Sequence, residues 1–88
     1  MKLTETQRKV KQARLHQATM VPGLFGTTQD LGDTNKIGAP KVKIEMAWDG
    51  STLECETVDK KNKVWAFAFP AASIAMILFD EAQDEASK

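Results

Sequence analysis

The stretch KVKIEMAWDGSTLECETVDKKNKVWAFAF, residues 41–69, decides the fold. Val42, Ile44, Met46 and Trp48 alternate with Lys43, Glu45 and Ala47, and a period of two marks a strand with one buried face. Asp49-Gly50 follows, the dipeptide that best supplies the positive φ angles of a two-residue hairpin turn. With those two residues as the loop, Trp48 faces Ser51, Met46 faces Leu53, Ile44 faces Cys55 and Lys43 faces Glu56. The apolar positions of both strands then coincide, so pattern and register agree. Cys55 reads as a small core residue rather than a nucleophile.

Residues 59–63, DKKNK, form a charged turn into a third strand, residues 64–69. A five-residue loop pairs Val58 with Val64 and sets Trp65, Phe67 and Phe69 on the face of Leu53 and Cys55, as core. A two-residue loop at Lys61-Asn62 moves the pairing by one and puts Trp65 and Phe67 beside the turn lysines, on a face that could stack bases. The core register is preferred, because a strand offering only Ala66 and Ala68 would underfill so small an interior.

Downstream, Pro70 suits the first turn of a helix and residues 71–86 are all helix-compatible, which predicts a helix over 70–83. Ile74, Ile77 and Leu78 make one face, and Ala75, Met76 and Phe79 carry apolar groups around the rest. A helix apolar all round is covered on two sides. In an 88-residue chain the second cover is most simply another subunit, with Ile74, Met76, Ile77 and Phe79 at the contact. Carboxylates then crowd the negative end of the helix dipole and favour a mobile acidic tail over 84–88.

Upstream, residues 4–20 lack Gly and Pro and are rich in Gln, Arg, Lys, Ala and Leu, which predicts a basic helix within 1–21, ended by Pro22-Gly23. Residues 22–40 hold four of the five glycines and two of the three prolines and read as one long loop, with Leu24 and Phe25 as an apolar plug on the core. The expected fold is therefore a single α+β domain: basic helix, Gly-rich loop, three-stranded antiparallel meander, and C-terminal helix with an acidic tail.

Twelve basic and twelve acidic residues cancel, yet they are unevenly placed. Lys2, Arg8, Lys9, Lys11 and Arg14 face only Glu5 in the first twenty residues, whereas Asp80, Glu81, Asp84 and Glu85 face only Lys88 from residue 70 onward. Such asymmetry hints at an anionic partner at one end. One cysteine allows no internal disulfide and fits a reducing, cytoplasmic setting. No signal-peptide core and no apolar run of about 20 residues occurs, so neither export nor a membrane partner is expected.

Catalytic patterns are missing. His16 is the only histidine, there is no Cys-x-x-Cys or His-x-x-x-His spacing for a metal, and neither phosphate-binding glycine fingerprint is present. Glu54 and Glu56 share a strand face and read as its solvated side. A non-enzymatic chain without cofactor is expected.

In element order and residue type, residues 41–88 resemble small single-stranded-DNA-binding proteins encoded by tailed phages, and the meander-then-helix order is somewhat similar to coactivator-type and Whirly-type single-stranded-DNA binders. The resemblance implies an accessory protein of transcription or replication. Arg8, Lys9, Lys11, Arg14, Lys41, Lys43, Lys60, Lys61 and Lys63 would neutralise phosphates of single-stranded DNA or RNA, and Trp65 would stack a base. The acidic tail would deter non-specific contacts or dock a polymerase. The other expectation is a small oligomeric protein-binding regulator or inhibitor that touches its target through the 22–40 loop.

Overall fold

A computed structural model describes residues 1–24, 26–32, 36–37 and 42–80, with backbone alone for 36–37. The described chain is almost entirely β. Its strands are β1 Arg8–Met20, β2 Thr27–Leu31, β3 Lys36–Ile37, β4 Val42–Trp48, β5 Thr52–Val58, β6 Val64–Pro70 and β7 Ile74–Phe79. The only helical element among the described residues is a 3-10 turn, Ala71–Ser73. This overturns the α+β expectation at both ends: the basic helix is β1, the C-terminal helix is β7, and the 22–40 loop contains β2 and β3. The acidic tail, Phe25 and Lys41 lie outside the described residues.

All pairings are antiparallel and build one curled sheet, an open half-barrel. β1, at 13 residues, is its spine. Val10 pairs with Met46 of β4 on one edge and Phe79 of β7 on the other, and Ala13 likewise pairs with Leu31 of β2 and Ile77 of β7. Around the curl the order is β7, β1, β4, β5, β6, with β2 continuing the β4 side of β1. β6 and β7 form the two open ends, joined by the 3-10 turn.

The concave face collects the core: Val10, Ala13, Leu15, Val21, Leu31, Val42, Ile44, Met46, Leu53 and Cys55 are buried together. Each fully buried Leu, Ile or Val contributes about 1.5–3 kcal/mol of transfer free energy. That favourable burial accounts for β1 forming a strand in spite of its helix-favouring residues, since tertiary pairing outweighs local propensities of tenths of a kcal/mol.

The β4–β5 hairpin keeps its expected faces with a different turn. Trp48 pairs with Leu53, Met46 with Cys55, Ile44 with Thr57 and Lys43 with Val58, so the loop has four residues instead of two. Asp49 closes it: its Oδ1 accepts the N–H groups of Ser51 and Thr52, both at 2.9 Å, which also holds the carboxyl below its ordinary range. A shift of two residues leaves every side chain on its own face, which is why the core set survives. The β5–β6 register is the expected one, Val58 opposite Val64, with Trp65, Phe67 and Phe69 on the concave side. These aromatics are half-buried, because the open half-barrel covers them on one side only.

Candidate interaction surfaces

The β5–β6 turn is built by one carboxylate. Asp59 Oδ1 accepts the N–H of Lys61 at 2.8 Å and of Lys63 at 3.0 Å, while Oδ2 accepts the Trp65 indole N–H at 3.2 Å. Asn62 takes a positive φ of 63°, which Asn tolerates. The Lys63 N–H and then the indole N–H hold the Asp59 carboxyl below the usual carboxylate range. Lys60, Lys61 and Lys63 are exposed around this clamp, and Lys63 Nζ lies 4.1 Å from the centre of the Trp65 ring. Trp65 is also backed by the 21–24 turn: a Cβ on Gly23, at φ 85°, would sit 3.3 Å from Trp65 Cδ1. Thr57, fully buried, ties that turn down by donating its hydroxyl to the Pro22 carbonyl at 2.9 Å. Trp65 therefore has its N–H engaged, a cation over its ring and backbone against its edge.

The cations of β1 are elsewhere. Arg8 pairs with Trp48, at the end of β4 opposite to Lys43, whose partner Val58 leads into the lysine turn. The Arg8 guanidinium lies 3.8 Å from the centre of the Phe79 ring, Lys9 Nζ is 3.5 Å from Asp80, and Arg14 is 3.4 Å from Asp30. Lys11 and Lys43 are exposed. Arg8 and Lys9 thus lie at the Trp48 end of the sheet, away from the turn lysines, while Lys11 and Arg14 lie further along β1, with Arg14 paired to Asp30 of β2 and Met76 of β7. Between the Trp48 end and the turn lysines the convex face is acidic: Glu45 and Glu56 are direct cross-strand partners, and the Met1 amine bridges them at 2.8 and 3.5 Å, drawing Glu45 down in pKa.

The third surface is the β7 end. Ile74, Ile77 and Phe79 are half-buried against the core, whereas Met76 and Leu78 are 42% and 43% exposed. Ile74, Met76, Ile77 and Phe79, with Trp48, Ala71 and Ala75, line a cleft of about 340 Å³, open to solvent. The four residues expected at an oligomer contact do come together here, on an edge strand instead of a helix. Sequence reasoning missed Trp48 as part of this surface. The signal that could have found it is Arg8 opposite Trp48, available only once β1 is recognised as a strand.

Nucleophilic chemistry finds no support at Cys55. Burial pushes its thiol up to about 12, the wrong direction for a thiolate. His16 is exposed on β1, and no cluster of three or more His, Cys, Asp or Glu side chains among the described residues could hold a metal ion. No helix among the described residues is long and apolar enough to cross a membrane. Comparison with protein-family models, with curated proteins and with solved structures finds no match to this chain.

Proposed function

We propose that the chain is a non-enzymatic protein-binding module whose contact surface is the outer edge of β7 with the adjoining Trp48–Phe79 cleft. One observation carries this reading: Ile74–Phe79 is a six-residue strand without charge, Pro or Gly, hydrogen-bonded among the described residues to β1 on one side only. Exposed strand edges of that kind are templates for pairing with another chain, and soluble proteins ordinarily guard them with Lys, Pro or a covering element. A reducing, cytoplasmic setting belongs to the same reading, supported by a single buried thiol.

The test is a photo-cross-linking amino acid at Met76, with Ala66 on the convex face of β6 as control, in cells that produce the protein. A covalent adduct to protein at position 76, absent at 66, is the expected result. Adducts at both positions or at neither would remove the assignment.

A second reading, single-stranded DNA or RNA binding, is favoured by one specific feature, the Asp59-clamped turn that presents Lys60, Lys61 and Lys63 around Trp65. Its reach is limited, because Asp59 holds the Trp65 indole N–H and Lys63 already lies over the ring on which a base would stack, and Arg8 and Lys9 lie at the far end of β4. Oligonucleotide titration at two salt concentrations decides it. Under the protein-binding reading, single strand and duplex bind equally weakly. Tighter single-strand binding, abolished by replacing the three lysines with Ala, would favour the nucleic-acid reading.

A further inference from the structure

We propose that β7 is a homotypic assembly edge: a second copy of this chain pairs its own β7 antiparallel to residues 76–79 about a two-fold axis, so that two half-barrels continue as one sheet. The inference rests on the protein-binding reading of this surface and names its partner.

The geometry of the open side comes first. The Asp80 N–H donates to the Lys9 carbonyl at 3.1 Å, so it turns toward β1. Strand alternation then directs the amides and carbonyls of Phe79 and Ile77 away from β1, to the open edge. Backbone groups in that position need a partner, water or another strand. Ala75 is an extra residue against β1, since Met76 pairs with Arg14 and Ile74 with Leu15, so the regular edge runs from 76 to 79.

Composition selects a copy of the same strand. An antiparallel pair of β7 strands brings no like charges together, because residues 74–79 carry none. Placing the axis at Ile77 sets Met76 opposite Leu78 of the copy, two exposed apolar side chains on one face. At the margin of the regular edge it brings Phe79 to the Ala75 bulge of the copy, large against small, and keeps Asp80 away from its own counterpart. The other candidate edges are guarded. β6 begins beside Lys61 and Lys63 and ends at Pro70, which has no N–H, and the outer strand β2 is Thr-Thr-Gln-Asp-Leu.

Magnitude sets the expected affinity. A standard interface takes about 800 Å² from each partner, roughly one-seventh of the 5728 Å² surface here. Four edge residues with the Trp48 cleft offer less, so the pair forms at micromolar concentration and its population depends on protein concentration.

Sedimentation velocity from about 5 to 200 μM is the test. The native chain should move from 9.7 kDa toward twice that mass. Met76→Lys with Leu78→Lys, which sets lysine against lysine across the axis, should hold it at the monomer mass with unchanged far-ultraviolet dichroism. Ala66→Lys with Ala68→Lys on β6 should dimerise as the native chain does. If the double β7 variant fails to fold, Leu78→Ser, a smaller change at an exposed site, should raise the midpoint concentration at least several-fold. A native chain that stays monomeric, a folded β7 variant that still dimerises, or a β6 variant that dissociates would overturn the proposal. A monomeric native chain that cross-links a different protein from position 76 would end the second-copy proposal and leave the protein-binding reading standing, whereas no protein adduct would end both.

Discussion

The two open ends of the half-barrel, β6 and β7, are both apolar strands paired on one side among the described residues, yet they are finished differently. β6 enters from a turn in which Asp59 binds two backbone amides and an indole, is flanked by lysines, and leaves through Pro70. β7 enters from a 3-10 turn without a side-chain cap and has no charged residue before Asp80. A sheet edge next to Lys and Pro is disfavoured as a template, and an edge with neither is available. The difference is what the protein-binding proposal rests on: similar local structure is closed at one end and open at the other.

The comparison breaks most completely if the shared spine fails. Leu15, on β1 and fully buried, supports both ends through the same core, and Leu15→Ala should cost about 2–5 kcal/mol. Urea denaturation followed by fluorescence of Trp48 and Trp65 should show one transition moved to lower denaturant. Two separated transitions would mean that the ends are independent.

The β6 end can be loosened alone. Gly23→Ala forces a left-handed backbone at φ 85° on a residue with a Cβ and brings that Cβ to 3.3 Å from Trp65, at a cost of about 1–2 kcal/mol. Thermal melting should register the loss, and the self-association proposed at β7 should be unchanged.

Titration separates the ends at smaller amplitude. Asp59 has its folded carboxyl below its ordinary value, so its contribution is present above the normal carboxylate range near pH 3.9 and is lost as pH falls through the folded value. Trp65 emission should shift to the red in that acid window, and Asp59→Asn should remove the pH dependence of the shift. Cys55 has the opposite sign. Its thiol is raised to about 12, so the neutral form favours folding, and this contribution declines as pH rises above the unfolded value near 8.5. At pH 8 Cys55 should react with a disulfide reagent only as fast as the chain opens, and urea should restore ordinary reactivity.

How much of this was legible in the sequence follows the same division. Residues 42–69 alternate cleanly, and there the strands, their faces and the Val58–Val64 register could be read from the pattern. Only the first turn differed, because Asp49 caps a four-residue loop with its side chain and so competes with the two-residue turn that Asp-Gly favours. β1 was misread from its helix-favouring composition without Gly or Pro, and both β1 and β7 carry bulges that break the period of two. Lys11 is an extra residue on β1 between Val10 and Gln12, and Ala75 is an extra residue on β7. Each bulge brings residues three apart onto one face, Val10 with Ala13 and Ile74 with Ile77, and that spacing imitates a helix. The expectation that Ile74–Phe79 is more apolar than one face can bury named Ile74, Met76, Ile77 and Phe79, which do share one cleft, on a strand instead of a helix. The cation set was legible only as a list, since the placing of Arg8 and Lys9 away from the turn lysines depends on β1 running antiparallel to β4.

Amide hydrogen exchange resolved by residue, recorded at low and at high protein concentration, tests the central claim most directly. Protection of the Ile77 and Phe79 amides should rise with concentration, while the β6 amides not bonded to β5 exchange at a constant rate. Protection that stays flat at Ile77 and Phe79, or that rises at β6 instead, would contradict the assignment of β7 as the contact edge.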